Sequence, residues 1–311
     1  MPNRKGSIHL FHFAGINVFL HWSWFLVAFF SVIYRINLPL GFSSSVWCIY
    51  AYLCLFVIVL LHEFGHSLAC RSVGGRADQI VLWPLGGVAF VDPPSRPGAT
   101  LWSLAAGPLV NVLLLPIFLV VVLVARTLNW QETNPNLYLL VFYILMIDVG
   151  LFCFNMLPIY PLDGGQILRS LLWFFLGRAR SLMVASVIGL VAVAVLLVFA
   201  LCSRLSNYFK SNEPWLIIMA VFVLLNCWGG LQQARALARL AAAPRRSGLA
   251  CPLCHTPPPV GPFWACGRCR AGFDMFAMRG VCPNCGTIFN ATRCLECGEP
   301  LALSAFGETN S

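Results

Sequence analysis

The sequence predicts an all-α polytopic membrane protein that ends in a small metal-bound module. Composition is the first reason: of 311 residues 59% are hydrophobic and 10% charged, and the mean hydropathy of +0.80 is too apolar for a soluble globular chain. The second is length: about six apolar stretches can each cross roughly 30 Å of hydrocarbon, at residues 18–36, 46–69, 101–125, 137–157, 182–202 and 215–230. The third is cysteine spacing: eight of the 14 cysteines form four C-x-x-C pairs after residue 250.

Taken in order, residues 1–17 read as an amphipathic interfacial lead-in, with His9 and His12 among apolar neighbours. His21 stands between the apolar start of the first stretch and Trp22 and Trp24, a composition suited to the membrane interface. Arg4 and Lys5 precede that stretch, but no small-residue cleavage site follows, so it reads as an uncleaved anchor. With the N-terminus inside, the cytoplasmic segments carry twelve Lys and Arg (Arg4, Lys5, Arg71, Arg76, Arg96, Arg169, Arg178, Arg180, Arg235, Arg239, Arg245, Arg246). The opposite side carries four, Arg35, Arg126, Arg204 and Lys210. This asymmetry predicts a multi-pass protein of the cell membrane with both termini cytoplasmic. The net charge of +9 belongs to these flanks, because Asp274, Glu296, Glu299 and Glu308 cancel the four tail arginines. It is a topology signal and not a nucleic-acid footprint.

The second stretch ends in HEFGH, residues 62–66. On a helix, His62 and His66 lie about one turn apart and project from one face, as two ligands of a tetrahedral zinc must. Glu63 sits about 100° round the helix, where a general base can reach a metal-activated water without binding the metal itself. At bilayer depth such ionisable residues are costly, which favours function over chance.

A β-hairpin is expected next, at residues 79–91, with two β-prone arms around Pro84, Leu85, Gly86 and Gly87, bounded by Asp78 and Asp92. Its edge could pair with an extended peptide, or the loop could only plug the bundle. In the third stretch Gly107 permits close helix approach, and Asn111 either polarises a carbonyl or bonds a neighbouring helix. The fourth stretch ends in a segment, residues 155–165, broken by Pro158, Pro161, Gly164 and Gly165. Asp163 there can complete a His, His, Asp site. Asp148 is the rival carboxylate, but fifteen residues of continuous helix would place it about 22 Å away.

These motifs together, HEFGH, the Gly107–Pro108 pair followed by Asn111, and residues 155–165 with their PLDG core, resemble the site-2 protease family of intramembrane zinc metalloproteases. The entry stretch near the first helix and the PLGG hairpin are similar too, so the resemblance covers about residues 8–240. It implies cleavage of a transmembrane segment of a membrane-anchored protein, often in regulated intramembrane proteolysis. Zinc would be held by His62, His66 and Asp163, with Glu63 as base, and Asn111 and Asn155 match positions that bind substrate or the oxyanion. The chain departs from relatives that carry a PDZ-like insert or a nucleotide-binding regulatory pair. A protease-like scaffold that no longer cleaves is the alternative from another class, and a zinc transporter a third.

Residues 234–248 read as a basic linker between a membrane domain, 1–233, and a double zinc ribbon at 249–300, with a flexible tail at 301–311. The ribbon ligands are Cys251, Cys254, Cys266, Cys269, Cys282, Cys285, Cys294 and Cys297, and glycine follows the last cysteine of two knuckles. Consecutive pairing gives two structural zinc sites, beside one catalytic zinc; cross-bracing is the other arrangement considered. Disulfides fit a reducing cytoplasm poorly, and rubredoxin-like iron is a minor alternative. The other six cysteines, Cys48, Cys54, Cys70, Cys153, Cys202 and Cys227, read as small apolar residues. The zero net charge of residues 249–311, the module with its tail, favours docking of a protein partner over nucleic acid.

Overall fold

The computed structural model describes residues 6–36, 41–83, 86–205 and 213–307. The chain divides into two compact units, Met1–Phe175 with Val184–Trp228, and Leu176–Met183 with Gly229–Ser311.

The first unit opens with a departure from the expected lead-in and first span. Residues 7–21 form a hairpin, β1 (Ser7–Phe13) and β2 (Ile16–His21), and only Ser23–Ile36 is helical (α1). The reason lies in the sequence: polar and apolar residues alternate over much of the first arm, and Ala14 and Gly15, at φ 50° and 76°, supply the two positive-φ positions of a tight hairpin turn. The 14 described residues of α1 are about 21 Å long.

After α2 (Ser45–Ser72), the expected hairpin forms as β3 (Arg76–Trp83) and β4 (Gly86–Asp92); Pro84 and Leu85, its expected tip, lie outside the described residues. It joins the N-terminal hairpin instead of standing alone. The sheet order is β1-β2-β3-β4, with β2 and β3 parallel and both outer pairs antiparallel. Its inner face presents Ile16, Val18, Ile80 and Leu82, which pack with Trp24 and with Val59 of α2. The fold is therefore helical with a four-stranded sheet, not all-α.

The remaining helices of this unit are α3 (Pro97–Thr127), a short α4 (Trp130–Thr133), α5 (Pro135–Asn155), most of α6 (Asp163–Leu205) and the start of α7 (Glu213–Ala242). α6 is two helices joined at Gly177, whose φ of 77° and ψ of 168° are not helical. Among the described residues four helices are long and apolar enough to cross a membrane: Ser45–Ser72, Pro97–Thr127, Pro135–Asn155 and Asp163–Val195. Of the six expected spans, residues 18–36 are split between strand and helix, and 215–230 fall within α7. Large apolar side chains such as Leu113, Ile117 and Val120 of α3 are exposed, as a lipid-facing surface requires.

In the second unit the four C-x-x-C pairs form four near-identical knuckles. In each, the amide after the second cysteine donates to the first cysteine's carbonyl: His255 to Cys251, Arg270 to Cys266, Gly286 to Cys282 and Gly298 to Cys294, all at 2.9 Å. Those four residues share a left-handed backbone, with φ of 56°, 60°, 68° and 79°. Short hairpins carry two of the knuckles: β5 (Trp264–Ala265) with β6 (Gly272–Phe273), and β7 (Ala291–Arg293) with β8 (Pro300–Ala302). Residues expected in a linker and a flexible tail belong to this module. Arg245 donates to Glu296 at 2.7 Å, Arg246 to Asp274 at 2.5 Å, and Phe306 is buried against Cys251 and Cys294.

Candidate metal sites and family membership

His62, Glu63 and His66 are all buried on α2. Two glycines let this helix lie against α3. A Cβ on Gly107 would fall 2.2 Å from His66 Nε2, and one on Gly65 would fall 2.7 Å from the Ala106 carbonyl. The motif's fourth position, Gly65, and Gly107 are thus complementary halves of one close contact.

Asp163 arrives from the first turn of α6 and not from the end of a continuous fourth helix. α5 stops at Asn155, and residues 156–162 fold back over the start of α6. Gly164 and Gly165 allow this: a Cβ on the first would fall 2.5 Å from Met156 backbone, and on the second 2.4 Å from Ile159. Gln166 Nε2 ties the loop by donating to the Pro161 carbonyl at 2.9 Å.

Asp163 Oδ2 consequently lies 3.0 Å from His62 Nε2 and 3.3 Å from His66 Nε2, and the two nitrogens are 3.1 Å apart. With zinc–nitrogen bonds of about 2.0–2.1 Å, the edge of a tetrahedral site is about 3.3–3.4 Å, so one imidazole pair and a carboxylate meet at the spacing of three zinc ligands. Both rings are oriented from behind. His66 Nδ1 donates to the Ser103 carbonyl at 2.8 Å, and His62 Nδ1 to Asn111 Oδ1 at 2.7 Å. Each ring's Nε2 lone pair is thereby turned to the common point. The donor set fits zinc. Glu63 interacts electrostatically with His66.

Of the two roles expected of Asn111, the structure shows the bond to neighbouring helices. Its amide is used on both sides, accepting from His62 and donating to Asp148 Oδ1 at 2.6 Å. Asn155 ends α5, half-buried, and enters none of these hydrogen bonds. Asp148 is the residue misplaced by sequence. The 22 Å separation assumed an unbroken helix, but the fold-back of residues 156–162 returns Asp163 to the depth of Asp148, which is fully buried one amide away from His62. Its sequence signal was its isolation, for it is the lone charged residue in the 21 residues of α5. Burying such a group in a spanning helix costs on the order of 3 kcal/mol even on permissive scales. His21, expected at an interface, is buried and stacks on Trp83 at 4.0 Å, and His9 packs edge-on to Phe19.

The tail cysteines form two further sets, Cys251, Cys254, Cys294 and Cys297, and Cys266, Cys269, Cys282 and Cys285. This pairing is nested: the first knuckle joins the fourth and the second joins the third, so neither consecutive pairing nor cross-bracing holds. Nesting lets Trp264, Phe273, Met275 and Phe289 cluster around the inner set, while Phe306 closes on the outer one. Sulfur atoms lie 3.8 Å apart for Cys251 and Cys297, 3.7 Å for Cys254 and Cys294, and 3.5 Å for Cys266 and Cys285. The edge of a tetrahedral site with zinc–sulfur bonds of about 2.3 Å is close to 3.8 Å. Hydrogen bonds from the Thr287 hydroxyl and amide bring the Cys285 thiol down to about 6, while burial pushes Cys282 of the same set up to about 11, so a metal would have to displace that proton on binding.

Long apolar helices, a buried H-E-x-x-H and a third carboxylate brought to it across the bundle define a class of protein, the membrane-embedded metallopeptidases. Comparison with known proteins narrows this. The pattern of peptidase family M50 matches residues 50–133 and 130–199. Zinc metalloprotease MJ0392 of Methanocaldococcus jannaschii is 34% identical over 229 residues, covering 74% of this chain and 61% of that protein. Stage IV sporulation protein FB of Bacillus subtilis is 38% identical over 120 residues, 38% of either chain. The solved Site-2 Protease from Methanocaldococcus jannaschii superimposes with a TM-score of 0.50 at 29% identity, over 72% of this chain and 95% of that one. The chain belongs to peptidase family M50, the site-2 protease family. It spans less than two thirds of the curated relatives' length, 61% and 38% of the two named.

Proposed function

We propose that this protein is an intramembrane zinc metalloendopeptidase that hydrolyses a peptide bond within or near the transmembrane segment of a membrane-anchored protein, in regulated intramembrane proteolysis. The observation that carries the reading is the convergence of His62, His66 and Asp163 at 3.0–3.3 Å, inside helices otherwise apolar. His62, His66 and Asp163 would hold one zinc, and the two nested cysteine sets two structural zincs. Bound there, zinc supplies Lewis-acid polarisation of the scissile carbonyl and acidifies a water. Glu63, one residue beyond His62 and buried, serves as general base: its carboxylate takes the proton of the attacking water and returns it to the leaving amide nitrogen. The fold-back at residues 156–162 and the edges of the sheet are where the chain would hold a substrate extended. Both termini and the ribbon module lie on the cytoplasmic side of the cell membrane in this reading, and the module docks a protein partner.

The test compares membrane proteins in cells carrying the wild-type chain or Glu63→Gln. A single-span protein that accumulates intact only with the variant establishes the activity and names the substrate. Loss of the general base lowers cleavage by roughly 10²–10⁴-fold. Indistinguishable profiles, with both chains expressed, would favour the non-cleaving scaffold. Metal content tests the site separately: Asp163→Ala loses one zinc of three, and retention of all three rejects the ligand assignment.

A further inference from the structure

We propose that Asp148 and Asn111 are positioning residues that set which nitrogen of His62 carries the proton, and so present its Nε2 to the metal. This rests on the zinc-site reading above. The three groups form an unbroken buried chain, Asp148 Oδ1 to Asn111 Nδ2 at 2.6 Å and Asn111 Oδ1 to His62 Nδ1 at 2.7 Å. Both Asn111 and Asp148 are wholly excluded from solvent.

The logic is one of donors and acceptors. A carboxylate can only accept, so Asp148 obliges the Asn111 amide to turn its NH₂ toward α5. That leaves the amide oxygen facing His62, where it can only accept, so the proton of the imidazole must reside on Nδ1. A reversed amide would set its oxygen against the Asp148 oxygen, a repulsive contact in a dry interior, and would offer NH₂ to His62 Nδ1, moving the ring proton to the nitrogen that must face the metal. One buried carboxyl oxygen thus fixes an amide, and the amide fixes a tautomer. The other ligand needs no such device, because His66 Nδ1 donates to a main-chain carbonyl, that of Ser103, which cannot flip. The chain also crosses three helices, α5, α3 and α2, so it holds α5 in register with the metal ligands.

Zinc affinity of the full-length protein tests this, with the membrane zinc identified as the metal that Asp163→Ala loses. Competition with a chelator is then measured for wild type, Asn111→Leu and the exchange variant Asn111→Asp with Asp148→Asn. Asn111→Leu keeps the volume and removes the chain; outer partners of metal-bound histidines typically contribute 10–100-fold in affinity, and a loss of that size is expected. The exchange variant keeps every donor, acceptor and the single charge, because the carboxylate moved to position 111 would accept both from His62 Nδ1 and from the amide moved to position 148; it should regain most of the affinity. Undiminished affinity in Asn111→Leu, or an exchange variant as weak as Asn111→Leu, overturns the proposal. Failure of the underlying reading looks different: Asp163→Ala would then hold as much zinc as wild type.

Discussion

Both parts of this chain gather metal ligands, and they do so in opposite ways. At the membrane site the ligands are 101 residues apart in sequence, His62 against Asp163, and are placed by helix packing, with outer hydrogen bonds from Asn111 and Ser103 aiming the rings. In the ribbon each ligand pair is a local turn, and two small apolar clusters, the Arg245–Glu296 and Arg246–Asp274 pairs and a few backbone hydrogen bonds join one turn to the next. The first is a site that its scaffold makes ready for metal. The second has the form of a scaffold that a metal would make. An enzyme site gains from the first arrangement, since a preformed geometry can leave one coordination position for substrate chemistry.

Chelation strains this contrast hardest. Structural zinc contributes about 10–16 kcal/mol in small finger modules at neutral pH, whereas a core of this size supplies only about 3–5 kcal/mol. Exhaustive chelation should therefore open residues 250–307 to amide exchange and protease, while α2, α3 and α5 retain slow exchange. A stripped ribbon that stays protected would erase the distinction.

The sequence exposed these two regions unequally. HEFGH was legible because helical geometry alone puts His62 and His66 on one face, and Asp163 because prolines and glycines around it announce an irregular backbone near a ligand. The same prolines and glycines made the chain reverse, and this was not legible. A continuous helix was the simpler reading, and it put Asp148 out of reach of a network in which it is the terminal member. The N-terminal hairpin hid within a hydrophobic run long enough to pass for a span, although alternation along residues 7–13 and the Ala14–Gly15 turn were present as signals. In the ribbon every cysteine was identifiable, but the pairing was not. Four similar knuckles carry no local mark of their partners; in the nested order Trp264, Phe273, Phe276 and Phe306 pack around the paired knuckles, a tertiary contact that spacing alone does not reveal.

A smaller perturbation asks how much of the ribbon is held by protein alone. Asp274 accepts from the amides of Gly261, Phe276 and Ala277 and from Arg246, at 2.8, 3.1, 3.0 and 2.5 Å. Burial by itself would raise its carboxyl; the Ala277 and Gly261 amides and the Arg246 guanidinium outweigh that and hold it below the ordinary range. Because the folded value is depressed, the stabilisation is complete above the unfolded value of about 4 and is lost as pH falls through the folded value. Asp274→Asn should lower the ribbon's opening free energy by about 1–3 kcal/mol at pH 7, with the gap to wild type closing below about pH 4. Equal exchange rates at pH 7 would assign the whole module to its metal.

The finest distinction lies within the knuckles themselves. All four need a left-handed residue after the second cysteine, yet only two use glycine; His255 and Arg270 hold φ of 56° and 60°. A residue with a Cβ loses about 1–2 kcal/mol in that conformation, whereas glycine gives up part of this through the greater freedom of its unfolded chain. Gly298→Ala should therefore lower ribbon stability by about 1 kcal/mol, and His255→Gly should change it by less than about 0.5 kcal/mol in either direction. Chelator-dependent unfolding of the two variants measures both. If Gly298→Ala is also silent, the metal–thiolate bonds impose the turn against its backbone preference, and the ribbon is organised by its zinc down to single dihedral angles. If it registers, backbone and metal act together in the knuckle, and the contrast with the membrane site becomes one of degree.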